Sequence, residues 1–154
     1  MLEFRVTKYN PKNRNKKGHY LITEEWTDFG EVGKNVTLQE YEIVESAYLE
    51  TAYEFVKEAK ISHLKLFGLG NSQNKSPFKE GESISIEQLK PVIKSILRNE
   101  YWCRIESDEV FVHVGYDFYM YVGVPSVSEE ALVKARARGL FVERWISPYH
   151  PEQE

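Results

Sequence analysis

The sequence is short of the groups on which most enzymatic chemistry depends. Its 154 residues contain one cysteine, Cys103. A lone thiol excludes an internal disulfide and a cysteine-based zinc set. His63 has no second histidine or cysteine at metal-ligand spacing, and no metal site is expected. Gly68-Leu69-Gly70 lacks the third glycine of a dinucleotide fingerprint and any following Gly-Lys-Ser/Thr pair, so no nucleotide cofactor is expected. There is no G-x-S-x-G elbow. No apolar run approaches the ~20 residues of a membrane span, so no membrane partner is expected. The N-terminal MLEFRVTKYN reads directly as a strand and lacks the apolar centre of a signal peptide, which places the protein in the cytoplasm. The net charge of −4 gives no general attraction to nucleic acid, although it leaves room for a local basic patch.

What remains is ordinary in composition and uneven in pattern. Hydrophobic residues make up 42% and charged residues 29%, a balance that suits one soluble domain, residues 1–154, with its own core. The strongest pattern runs from Tyr101 to Val122, where apolar and polar residues alternate with period two. One face reads Cys103, Ile105, Val110, Val112, Val114, Phe118, Met120 and Val122. The other reads Trp102, Arg104, Phe111, His113, Tyr119 and Tyr121. Three antiparallel strands follow, about 101–123, with turns at Ser107-Asp108 and at Gly115-Tyr116-Asp117. Those turns set Arg104 opposite Phe111, Trp102 opposite His113, and His113 opposite Tyr119. A slip of one residue would mix the two faces.

Around this meander the chain reads as an α+β domain with a mostly antiparallel sheet. Leu2, Phe4 and Val6 alternate with polar neighbours, giving a strand over 2–8. Residues 19–29 are expected to return as its partner. Between them lies the most basic stretch, with Lys12, Arg14, Lys16 and Lys17 among Asn, Pro and Gly. It is either a solvated loop or a contact for phosphate or an acidic surface. Helices are expected at about 38–59, 86–98 and 127–138, each opened by a capping box, at Thr37, Ser85 and Ser126. Pro91 sits in a first turn if the second helix starts near Lys90. On the first helix Tyr41, Val44, Tyr48, Ala52, Phe55, Val56 and Ala59 form an apolar stripe. Glu40, Glu42, Glu45, Glu50, Glu54 and Glu58 cover the rest, as a solvated face or a surface for a cationic partner. Ile61–Phe67 and 140–146 read as further strands, 68–85 as a flexible loop, and 147–154 as a polar C-terminal tail.

All three apolar stripes can cover the aliphatic face of the meander. The aromatic face has no evident cover, so Trp102, Arg104, Phe111, His113, Tyr119 and Tyr121 are the expected binding face. Rings with polar tips suit a protein interface, and they also suit stacked bases beside the Lys12–Lys17 loop. The competing reading buries this face inside the fold. For catalysis the weak candidates are His113 and Asp117; no other residue completes a set. Cys103 falls on the core face and reads as inert.

The runs FRVTKYNPKNRNKKGHY, LRNEYWCRIE and FVHVGYDFYMYVG resemble a family of small bacterial cytosolic proteins loosely labelled RNA-binding or immunity-type. The resemblance spans most of the chain, to the GLF and SPY of its C-terminal part. It implies a bacterial cytosolic protein and carries over no catalytic residue. The function expected is non-catalytic: a protein-interaction module of immunity or inhibitor type. RNA or single-strand binding is the alternative, and a small enzyme centred on His113 the second.

Overall fold

The computed structural model describes residues 1–14 and 25–151. Seven strands form one sheet: β1 (Leu2–Thr7), β2 (His63–Gly70), β3 (Ser83–Ser85), β4 (Trp102–Glu106), β5 (Phe111–Val114), β6 (Tyr119–Val124) and β7 (Phe141–Arg144). Their order is β3-β2-β4-β5-β6-β1-β7, and every neighbouring pair is antiparallel. Three helices, α1 (Leu38–Glu58), α2 (Leu89–Leu97) and α3 (Glu129–Ala137), pack on one face of the sheet. The α+β reading holds.

The expected aliphatic face is the core face. Cys103, Ile105, Val112, Met120 and Val122 have no exposure, and Phe55, Val56, Leu89 and Ile93 of the helices meet them from above. Thr37 caps α1 by accepting from the Glu40 amide at 3.1 Å. Pro91 is the third residue of α2, within its first turn, where its missing N–H costs no helical bond.

Several expectations need correction. Both meander registers are two residues away from those expected. Arg104 lies opposite His113 and Glu106 opposite Phe111; His113 lies opposite Tyr121 and Phe111 opposite Gly123. A shift of two keeps every side chain on its face, so the alternation cannot detect it. The first turn is longer because the Ser107 hydroxyl accepts from the Val110 and Glu109 amides at 3.1 and 3.3 Å. Residues 25–29 are not a strand: Asp28 caps a short 3-10 turn, Phe29–Glu31. Positions 19–24 lie outside the described residues, and β1 pairs with β6 and β7. The 68–85 stretch is partly sheet, since β2 runs to Gly70 and Ser83–Ser85 pairs with His63–Lys65. The third helix is capped by Ser128, not Ser126.

Four of the six acids of α1 are not a free face, while Glu40 and Glu42 are exposed. Glu45 is 3% exposed and takes two bonds from Arg98, at 2.8 and 3.0 Å. Glu50 pairs with Lys90 of α2 and Glu54 with Arg138 beyond α3. Glu58 accepts from the Ser128 amide. These carboxylates tie the helix layer together.

Candidate functional site

The second face of the sheet carries a row of side chains, Arg104, His113, Tyr121, Arg5 and Glu143, on β4, β5, β6, β1 and β7. It was expected to be open, and its centre is not. His113 is 0% exposed, Phe111 4% and Tyr121 7%. Trp102, Arg104 and Tyr119 are half-buried. The cover is the segment after β7. Ser147 puts its hydroxyl 2.6 Å from His113 Nδ1. The Tyr149 ring packs against Trp102 and Tyr121, with centroids 5.7 and 5.9 Å apart. His150 sets its ring against Phe111 at 4.9 Å and its Nε2 2.6 Å from Glu3 Oε1. Residues 147–151, expected as a polar tail, therefore form a strap across the face; 152–154 lie outside the described residues.

Two glycines make room for this arrangement. A Cβ at Gly115 would stand 2.8 Å from the Tyr149 hydroxyl. A Cβ at Gly123 would stand 2.1 Å from the Phe111 ring, which needs the bare backbone to lie flat over β6 and stack on His113.

His113 sits at the centre of a hydrogen-bonded chain. Its Nε2 is 2.6 Å from Glu106 Oε2. The Ser147 oxygen accepts from the Tyr149 amide at 3.1 Å, which leaves its own proton for His113 Nδ1. The consistent assignment is a neutral imidazole that donates from Nε2 to Glu106 and accepts at Nδ1. Burial pushes the His113 pKa below its usual value, against the opposing pull of Glu106. Serine, histidine and glutamate are the residue types of a nucleophile, its base and an orienting acid. Here the hydroxyl is 4% exposed and the imidazole fully enclosed, so no acyl carbon can approach. The chain of bonds pins the strap. Asp117 is not its member: the partners of His113 are Glu106 and Ser147. Burial raises the Cys103 thiol to about 12, in keeping with an inert core cysteine.

The basic loop is only partly available. Lys12 is exposed. Arg14 donates to both oxygens of Glu143, at 3.0 and 2.6 Å, and Arg5 shares the same carboxylate. Burial alone would raise Glu143, but the bonds from Arg14 and Arg5 hold it below its usual value. Lys16 and Lys17 lie outside the described residues. Of the four rings expected to stack bases, Phe111 and Tyr121 lie beneath the strap, whereas Trp102 and Tyr119 are half-buried.

An open site exists at one end of the sheet. A cleft of about 470 Å³ lies between residues 70–73, the passage from α2 into β4, and the β5–β6 turn. Trp102 and Asp117, both singled out in the sequence, meet here with Asp28, Glu100, Tyr101 and Tyr116. Its frame is held in uncommon backbone. Asn99, Asp117 and Phe118 have φ of 63°, 63° and 64°, left-handed values that cost a non-glycine residue ~1–3 kcal/mol when sterically strained. Surrounding bonds enforce them. Asn99 donates to Asp28 at 2.8 Å and accepts from Gln73 at 3.2 Å. The Phe118 carbonyl accepts from Tyr48 and Thr7 at 2.6 and 3.2 Å, and its ring is buried against Tyr48 and Trp26. The Trp102 indole is fixed by its bond to the Val114 carbonyl at 2.7 Å.

No family model, curated protein or solved structure matches this chain. Among the described residues, no group of His, Cys, Asp or Glu converges to hold a metal ion, and no helix is long and apolar enough to cross a membrane. Sequence reasoning missed Ser147, Tyr149, His150, Glu106, Tyr116, Glu100 and Asp28. Only the strap carried a signal: three side chains able to bury or bond, Ser, Tyr and His, within four residues of a tail.

Proposed function

We propose that the protein is a non-catalytic protein-binding module of the inhibitor or immunity type, and that its partner docks at the cleft between 70–73, 99–102 and 115–118. The cleft itself carries this reading. It combines aromatic walls with a frame fixed by tertiary bonds, so docking orders few groups. Tyr116 is 71% exposed at its rim. Such an open wall does not enclose a small ligand, most of whose surface an ordinary ligand pocket buries; it suits a protruding partner loop. The strap supports the same reading indirectly, because it removes Phe111, His113 and Tyr121 from contact with any ligand.

The test is a photo-crosslinking amino acid placed at Tyr116 in the native cell, with Val133 as the control. Val133 lies on α3 and is 54% exposed. A discrete adduct from position 116 that is absent from position 133 is expected. Adducts at both positions alike, or at neither, would overturn the docking site.

A further inference from the structure

Resting on that reading, we infer that the group the cleft receives is a guanidinium, an arginine side chain of the partner. Three carboxylates line it, Asp28, Glu100 and Asp117, and no lysine, arginine or histidine does. The two arginines nearest the cleft are paired elsewhere, Arg98 with Glu45 and Arg104 with Glu106 at 3.4 Å; Lys75 and Lys94, on adjoining elements, are exposed and do not line it. Glu100 and Asp117 have no ion-pair partner among the described residues. Asp28 uses its two oxygens on Asn99 and the Gly30 amide, so it supplies field rather than a direct contact.

The rest of the fold shows what this chemistry holds. Arg98 lies 5.0 Å from the Phe29 ring and 5.7 Å from the Tyr41 ring while bound to Glu45. Arg5 lies 3.6 Å from the Trp145 ring and 5.0 Å from the Tyr119 ring while bound to Glu143. Lys8 lies between Tyr9 and Trp26 while bound to Glu25. Each cation is held by two rings and one carboxylate. The cleft offers solvent the same groups, the rings of Trp102 and Tyr116 with the carboxylates of Glu100 and Asp117. Lys8 shows that an ammonium also fits between rings and a carboxylate; a flat guanidinium is favoured because it stacks face-on and forks to the carboxylate in one geometry. Phosphate would meet repulsion from all three acids, which disfavours nucleic acid at this end of the molecule.

The probe is a capped Gly-Arg-Gly-Arg-Gly peptide titrated at low salt into the isotope-labelled protein and followed by NMR. The matched peptide with citrulline, neutral and of the same shape, is the control. A saturable shift of the Trp102 indole N–H and the Tyr116 and Asp117 amides is expected with arginine and not with citrulline. The Glu100→Gln/Asp117→Asn double variant should weaken binding by about tenfold, from two partly screened charges; asparagine tolerates the left-handed backbone at 117. No saturable shift, an equal response to citrulline, or unchanged binding by the double variant would overturn the inference. A position-116 adduct beside a silent titration would sink the guanidinium alone; loss of both would sink the docking site with it.

Discussion

Gly123→Ala puts the covered face to a quantitative test. The added methyl would lie 2.1, 2.5 and 2.7 Å from three atoms of the Phe111 ring. Carbon atoms rest at ~3.5–4.0 Å, so the ring would have to retreat by more than ~1 Å. It has no slack, being 4% exposed, stacked on His113 at a centroid distance of 4.2 Å, and capped by His150. Overpacking costs ~1–3 kcal/mol, and a weakened ring contact adds ~0.5–1.5 kcal/mol. Alanine recovers ~0.5–1 kcal/mol of backbone entropy in a strand. The net expectation is a loss of ~2 kcal/mol, or ~4–8 °C in Tm for a chain of this size. Urea unfolding with an unchanged m-value measures it. Pairing the change with Phe111→Val decides the cause, because valine ends before the atoms that clash. Gly123→Ala should then be neutral or stabilising in the Phe111→Val background, a coupling of at least ~1.5 kcal/mol. A loss under ~0.5 kcal/mol in the wild type, or strict additivity in the cycle, would refute the packing argument.

Two further outcomes follow from burial. His113 is held below its ordinary pKa, so its contribution is complete above the unfolded value of ~6.5. As pH falls through that value the unfolded chain takes up a proton that the folded chain refuses, and stability drops by at most ~1.4 kcal/mol per unit until the folded pKa is passed. Groups facing the ring are Glu106, Arg104, Phe111, Tyr121, Ser147, Tyr149 and His150. His113→Gln should flatten the stability slope between about pH 7 and 5; an identical slope in the variant would contradict the assignment. Cys103, with its thiol raised to about 12, should resist a disulfide reagent at pH 8 in the folded protein and react once in denaturant. Fast reaction of the native protein would place it outside the core.

The core was legible because period two and period 3.6 report directly on burial. Each aliphatic residue assigned from alternation, from Cys103 to Val122, is buried on the helix-covered face. Register was legible only to within two residues. Alternation is invariant to that shift, and the Ser107 turn bonds that choose between the two are not visible as a pattern. The consequence is chemical as well as geometric: the true register brings Glu106 beside the imidazole. Glu106 carries no signal of its own in the sequence, and Glu45 reads as one of a solvated helix face. Both are committed carboxylates because of where their partners fall in other elements, and a one-dimensional sequence does not contain that information.

The strap explains why the centre of the expected binding face is covered. Helical stripes were counted as the available cover, and three stripes sufficed for one face only. A segment without regular structure is a poor cover unless it is tied down, and SPYH is short and polar. Yet several of its polar groups meet partners. The Ser147 amide bonds Glu3 at 3.3 Å, its hydroxyl His113, and His150 bonds Glu3. Such bonds lower the cost of laying a polar segment on a buried face, while its ring contributes apolar area. Once the face is sealed, the aromatic residue nearest its edge, Trp102, is the one left in contact with an open cleft. The loops around it, anchored by the sheet, are where a rigid scaffold commonly carries its contacts. On the proposed function, the chemistry expected on the flat of the sheet lies at its end, where Trp102 and Asp117 line the same cleft.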